Sequence, residues 1–228
     1  MKLFFTTLAL CFSTLFLIAD ETGFEPIFNG KDFTDWDFQP GAWKIIDGEF
    51  HCTGEAKNKN WLIWRKTDPS NFVLRLEFKW EAGNSGVQVR SDDLGDWQIF
   101  GYQVEVARRD VMGLWHHSLL DGEHPTKDAR HLMTTAGQTA EISTAGKRTV
   151  TDVANTAELQ ALYEEAEWNT MEIIADGKTL TQKINGEVFA TLIDGDIGMG
   201  RTHGFIALQD HGKGCQVAFR NLRIKMLP

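Results

Sequence analysis

From Phe72 onward the chain repeats one rhythm, and that rhythm limits the fold more than any other feature. Phe72, Leu74, Leu76, Phe78 and Trp80 alternate with Val73, Arg75, Glu77 and Lys79. A period of two sends the first set to one face of a strand and the second to the other. Gly83-Asn84-Ser85-Gly86 then makes a turn, and the alternation resumes over 87–90 and 101–106. It returns at 169–175, 179–184, 189–192, 204–208 and 216–224. Asp176-Gly177 and Asn185-Gly186 join several of these runs, and such pairs favour tight hairpins. Many short strands without alternating helices predict an all-β antiparallel sandwich and exclude an α/β fold.

Residues 107–167 interrupt the rhythm. They are polar and rich in charge, and predict a long loop that ends in a helix. Asn155 can cap that helix, Glu158 follows three residues on, and Leu159, Leu162, Tyr163 and Ala166 keep helical spacing. A loop of this length inside a compact domain is uncommon and often functional. No internal repeat or Pro-rich linker divides the chain, so a single domain is expected over residues 20–228.

Residues 1–19 predict a cleaved secretory signal. Lys2 gives a short positive start, and 3–18 is an apolar run broken only by Thr and Ser. The run is too short for a stable membrane span. Export to a periplasm or to the medium is therefore expected, with no membrane association beyond it. The chain carries 23 basic and 32 acidic residues, and without Lys2 the balance is 22 − 32 = −10. So acidic a protein is repelled by nucleic acid and anionic lipid, which excludes both as expected partners. Cys11 falls within the signal, leaving Cys52 and Cys215. Each shares strand parity with apolar neighbours, Phe50 for the first, Val217 and Phe219 for the second. Two core thiols and one disulfide both remain open.

Polar residues on the strands are the candidates for chemistry. Alternation turns Val87 and Val89 inward and Gln88 and Arg90 outward. It also turns Tyr102, Val104 and Val106 inward and Gln103 and Glu105 outward. If these strands neighbour the one at 72–80, a single face displays Glu77, Gln88, Arg90, Gln103 and Glu105. Amides, carboxylates and a guanidinium hydrogen-bond sugar hydroxyls, and a carboxylate also serves as acid or base. An ordinary solvated face with salt bridges uses the same residues. Trp97 and Trp115 offer flat rings for a sugar to stack on, whereas most of the eight Trp and fifteen Phe suit core packing.

His116 and His117 follow Trp115, and His124 and His131 lie further on. Imidazoles move protons or bind metals near neutral pH, though surface histidines look the same and no zinc spacing such as HExxH occurs. Asp92, Asp93 and Asp96 cluster round Gly95, an oxygen-rich turn of the kind that can hold calcium, without EF-hand spacing. Phosphate-binding glycine loops, GxSxG and CxxC are missing, which argues against nucleotide, esterase and redox chemistry.

Longer motifs run through the chain in a fixed order. They begin with Phe28-Asn29-Gly30-Lys31-Asp32 and Trp36, then Trp43 with Asp47-Gly48. Asn84-Ser85-Gly86-Val87 with Arg90 and Gly101-Tyr102-Gln103-Val104-Glu105 follow. Later come Glu167-Trp168-Asn169-Thr170, Asn185-Gly186, the run at 204–212 and Phe219-Arg220-Asn221-Leu222-Arg223-Ile224. Together, over roughly residues 24–227, they resemble the 3-keto-disaccharide hydrolase domain family.

The resemblance implies a concanavalin A-like sandwich, or jelly roll, of two curved sheets with the ligand on the concave face. It also implies action on glycosides already oxidised at sugar carbon 3. A 3-keto group acidifies the neighbouring C2 proton, so a base can remove it and the glycosidic oxygen can leave by elimination before water adds. That route needs a base, a group that polarises the ketone and an acid for the leaving oxygen. A divalent metal, calcium or a transition metal, can replace the polarising group. Carried onto the matching positions, Glu105 becomes the base or acid and Gln103 and Arg90 orient the sugar, while His116 or His117, in the insertion outside those motifs, is expected to assist. The family usually places the carboxylate before the amide in the Gly-Tyr strand. Here Gln103 precedes Glu105, which keeps the face but moves the carboxylate by about 7 Å. The expected function is cleavage of 3-keto-glycosides, with a non-catalytic carbohydrate-binding module as the alternative.

Overall fold

The structure, a computed structural model, describes residues 21–56, 58–117, 130–212 and 214–228, with His117 described by its backbone alone. The expected signal segment and His124 lie outside the described residues. The chain opens with β1 (Glu25–Pro26), β2 (Trp36–Asp37), β3 (Trp43–Ile46), β4 (Glu49–Cys52) and β5 (Asn60–Trp64). Three long strands follow: β6 (Phe72–Ala82), β7 (Ser85–Gly95) and β8 (Gln98–Val106). Then come β9 (Gly113–His117), β10 (Leu132–Thr135), β11 (Gln138–Ile142), β12 (Arg148–Asp152) and the helix α1 (Thr156–Leu162). β13 (Asn169–Asp176), β14 (Thr179–Ile184), β15 (Glu187–Asp194), β16 (Phe205–Asp210) and β17 (Gln216–Met226) complete the order.

The strands form two sheets packed as a sandwich. One sheet has ten strands in the order β12-β11-β15-β14-β13-β6-β17-β4-β3, with β1 added alongside β17. The other has seven, in the order β10-β9-β8-β7-β16-β5-β2. Neighbours run antiparallel, apart from the parallel pair of β11 and β15. β6 shows why the layers form: Phe72, Leu74, Leu76 and Phe78 are buried while the residues between them are half-buried. Each side chain of that size contributes roughly 1.5–3 kcal/mol when fully buried. Phe50, Phe78 and Phe219 of the ten-stranded sheet meet Leu62, Val87, Val104 and Leu208 of the seven-stranded sheet in one continuous core. Asn185 and Gly186, with φ of 48° and 91°, supply the left-handed pair that the two-residue turn from β14 to β15 requires.

The stretch from 107 to 167 contains far more strand than its composition predicts. β9 and β10 extend the seven-stranded sheet, and β11 and β12 extend the other. Each is only four or five residues long, too brief for alternation to stand out. The helix starts where its signals placed it but ends at Leu162, with Tyr163 as an extended cap and Ala166 beyond it at φ 64°. Asn155 Oδ1 accepts the N–H groups of Ala157 and Glu158, and its amide donates to Glu158 Oε1 at 2.9 Å.

β7 and β8 are buried on both faces along most of their length. One face meets the core; on the side of the other, the tip of their hairpin reaches past β16 to β5. The Trp97 carbonyl accepts the Trp61 N–H at 3.1 Å, although β16 lies between β7 and β5 in the sheet. The hairpin therefore arches across β16. Gln98 Nε2 donates to the Lys59 carbonyl at 2.6 Å, and the Arg65 guanidinium joins Asp93 at 2.5 Å to Asp37 at 2.9 Å. Beneath the arch, Trp61, Ile63, Ile99 and Ala207 make a second, small apolar cluster.

Candidate functional site

Beyond the arch, the same face of the seven-stranded sheet carries a compact polar cluster. Register puts Gln88 opposite Gln103 and Gly86 opposite Glu105. Gln103 Nε2 donates to Glu105 Oε2 at 2.7 Å and to Gln209 Oε1 at 3.0 Å. Asn84 Nδ2 donates to Glu105 Oε1 at 2.5 Å, and the Trp61 indole N–H donates to Gln88 Oε1 at 3.0 Å. The alternation that aims Tyr102, Val104 and Val106 into the core aims Gln103 and Glu105 here.

Glu105 is the charged centre of this cluster and is only 3% exposed. Burial penalises its ionised form and raises its pKa to about 7, against the pull of the Gln103 and Asn84 hydrogen bonds and the Lys59 charge. Burial in turn lowers the Lys59 pKa. Partial burial and the Lys59 charge lower that of His211, at the end of β16. Three buried side-chain atoms of the cluster make no hydrogen bond: Gln103 Oε1, Asn84 Oδ1 and Gln209 Nε2. Two acceptors and one donor are thus left to be met, a complement that a polyhydroxylated ligand has.

The structure brings together Glu105, Gln103 and Gln88 from the expected set, and Trp115 joins them, half-buried and opposite Gln103. His117 stands at the register position opposite Gly101. Four other candidates are elsewhere. Glu77 belongs to β6 in the other sheet, where it holds Arg220 at 2.8 Å and Asn221 at 2.6 Å. Alternation gives a residue's face, not its layer. Arg90 departs from its expected face because the ladder slips there: three steps from Val89 to Asp92 answer two from Tyr102 to Phe100. This one-residue bulge, with Arg90 at φ 48°, breaks the alternation. Its guanidinium donates to the carbonyls of Ser70 at 2.7 Å and Gly177 at 2.8 Å, in loops of the ten-stranded sheet.

His116 lies opposite Tyr102 and faces the interior, fully buried. Its Nδ1 accepts from Arg130 Nε at 3.1 Å, and Arg130 is ion-paired with Asp194, which also accepts the Tyr102 hydroxyl at 2.6 Å. Trp97 is a clasp for the arch, its indole donating to Asp37 Oδ1 at 2.9 Å. The acidic turn is likewise occupied by arginines, Asp93 with Arg65 and Asp92 with Arg201. Sequence reasoning missed Lys59 as a partner of Glu105 and left Asn84 and Gln209 as motif residues without a role. The Gln209-Asp210-His211 run was the available signal.

Among the described residues Glu105 is the one carboxylate in this hydrogen-bonded cluster, and a single carboxylate beside a lysine is a poor match for a divalent cation. Among the described residues, the His, Cys, Asp and Glu side chains close enough to share an ion are Cys52, Asp210 and Cys215, behind the cluster.

Comparison with known proteins agrees with this architecture. A protein of Parabacteroides distasonis, named provisionally as a glycosyl hydrolase, superposes with a TM-score of 0.58 at 18% identity, over 90% of this chain and 94% of its own. A carbohydrate-binding module of Bacillus subtilis gives 0.54 at 12% identity, over 84% and 95%. A Bacillus subtilis protein described as having a galectin-like fold gives 0.52 at 12% identity, over 89% and 94%. At these identities the likeness is one of fold, a sandwich of the concanavalin A and galectin kind. No curated protein sequence matches the chain significantly. The model of the 3-keto-alpha-glucoside-1,2-lyase-like domain matches residues 23–225, nearly the whole described chain, and the protein belongs to that family.

Proposed function

We propose that the protein acts on carbohydrate and cleaves 3-keto-glycosides, with Glu105 as the group that moves the proton. The observation that carries this reading is the Glu105 carboxyl, buried among amides on the sheet face and titrating at about pH 7. A group poised near the working pH is ionised often enough to act and basic enough to take a proton. Glu105 takes the proton from C2 of the 3-keto-sugar, and the electron pair moves into an enolate across C2 and C3. Collapse of the enolate restores the ketone, forms the C1–C2 double bond and expels the glycosidic oxygen, which takes up a proton. Water then adds its hydroxyl to C1 and a proton to C2, giving the free 3-keto-sugar and the alcohol. The Lys59 ammonium and the unused Gln209 N–H are suited to the enolate oxygen. Gln103 Oε1 and Asn84 Oδ1 are suited to sugar hydroxyls. Membership of the family and the sugar-related names of the structural neighbours support the substrate class.

A second reading, binding without turnover, is favoured by one feature, the half-buried Trp115 ring beside Gln103. One experiment separates the two. A panel of 3-keto-glycosides is incubated with the protein and with Glu105→Gln, with added divalent metals and after chelation. Release of 3-keto-sugar by the parent and not by the variant supports the lyase reading. Absence of product from every substrate, together with glycan binding that Trp115→Ala abolishes, overturns it in favour of the binding module.

A further inference from the structure

Behind Gln209, on the inner side of its sheet, lies a second group of reactive side chains. β16 alternates, so Gln209 faces the polar cluster and Asp210 faces the space between the layers. There Asp210 meets Cys52, from β4, and Cys215, from the turn that leads into β17. The two cysteines come from the ten-stranded sheet and the aspartate from the seven-stranded one, so the group bridges the sandwich at one end. Both sulfurs and a carboxylate oxygen lie within 4.8 Å of one another, and all three residues are buried. The cysteines are free thiols.

Asp210 Oδ1 accepts the Gly212 N–H at 2.9 Å; Oδ2 is buried with no hydrogen bond of good geometry among the described residues, although the Asn60 and Cys215 side chains stand beside the carboxyl and partly offset the rise in pKa that burial imposes. Asn60, fully buried and directly opposite Asp210 in the ladder between β5 and β16, has an Oδ1 in the same condition. The two thiols lie against each other, Cys52 also against the Ser85 side chain and Cys215 against the Asp210 carboxyl. Their backbone contacts are long, Cys52 Sγ to the Gln209 carbonyl at 3.7 Å and Cys215 Sγ to the Asn84 carbonyl at 3.4 Å. Burial disfavours the ionised Asp210 carboxyl and raises its pKa, and a buried amide oxygen without a donor is destabilising by about 1–3 kcal/mol. A disulfide would join the two sulfurs and leave both oxygens as they are. A cation would take both sulfurs and the carboxylate together.

We propose that Cys52, Cys215 and Asp210 form a closed structural site for zinc or a cation of the same preference, with the Asn60 amide beside the Asp210 carboxylate. Two thiolates with oxygen donors select a borderline-soft ion and disfavour calcium and magnesium, which take oxygen alone. Tetrahedral zinc with bonds of roughly 2.0–2.3 Å places its ligand atoms well within the spacing seen here. Binding releases the two thiol protons. The ion would tie β4 and β17 to β16 directly beneath Asn84 and Gln209, bracing the frame of the Glu105 cluster. This inference stands whether or not the proposed reaction occurs.

The test uses the full chain, purified under reducing conditions, freed of metal and titrated with zinc and with cobalt(II). We expect one equivalent to bind, a thiolate-to-cobalt charge-transfer band, and a rise in Tm with zinc that a chelator reverses, while calcium and magnesium do nothing. Cys52→Ser and Cys215→Ser should abolish the band, and Asp210→Asn should weaken zinc binding about tenfold or more. The reduced parent protein needs no variant to decide the matter. If it gives no charge-transfer band and no shift in Tm, or if its thiols close to a disulfide in the presence of excess zinc, the site is not a metal site.

Discussion

Gly86 stands directly opposite Glu105 in the ladder between β7 and β8, and the Gln103 amide occupies the space where its side chain would be. A Cβ at this position would lie 2.6 Å from Gln103 Cδ. Gln103 reaches both Glu105 and, across β7, Gln209 because nothing projects from Gly86 between them. The backbone of Gly86 has no positive φ, so alanine is allowed conformationally and excluded only by the amide. On the proposed function, Gly86→Ala should therefore leave the protein folded while lowering kcat/KM by about a hundredfold, the scale of loss from a small misplacement of catalytic groups. Steady-state kinetics beside a melting curve checks both halves.

Glu105 links stability to pH with a definite sign. Its folded pKa of about 7 lies above the ordinary 4.5, so the folded state keeps a proton that the unfolded chain gives up. Stability therefore falls as pH rises from 4.5 through 7, and the full penalty, ~3 kcal/mol, is present only above that window. Glu105→Gln removes the penalty. Gln103 and Asn84, each with an unused oxygen, can turn their amides to receive the new N–H. The variant should melt higher than the parent at about pH 8, with the gain vanishing near pH 4.5. On the proposed function, parent kcat/KM should climb as pH passes through about 7.

Arg90 separates a structural role from the sugar-orienting one expected of it. Its guanidinium holds the Ser70 and Gly177 carbonyls, so Arg90→Met leaves both without a donor. A loss of about 3 kcal/mol or more in urea unfolding is expected, with KM of the folded fraction nearly unchanged. A large rise in KM with normal stability would return Arg90 to the ligand.

The buried pair of Arg130 and Asp194 gives a sharper contrast. Asp194→Asn leaves Arg130, 1% exposed, without its buried partner, and should cost about 3–5 kcal/mol. Tyr102→Phe removes one hydrogen bond to the same carboxylate and should cost about 1–2 kcal/mol. Denaturation midpoints at constant slope measure both.

The long strands were legible in the sequence because each repeats its alternation often enough to be read. β6, β13, β14 and β17 lie within a few residues of their expected bounds. The faces of Gln103 and Glu105 were legible for the same reason. Layer was not, and Glu77 went to the wrong group because period two does not say which strands are neighbours. Arg90 was misplaced by an extra residue in the ladder that leaves no mark in composition. Lys59 was invisible as a partner because it comes from before β5, two strands from β7 in the sheet and far from Glu105 in sequence. Short strands such as β10 and β11 carry too few residues to announce themselves.

The arch of β7 and β8 over β16 closes one side of the sheet face that carries Glu105. A polymer lying across a sheet needs free passage at both ends, and here Trp61, Ile63 and Ile99 fill one of them. On the proposed function, whatever reaches Glu105 must arrive end first, so the protein would trim termini or small glycosides and leave the interior of a polysaccharide untouched.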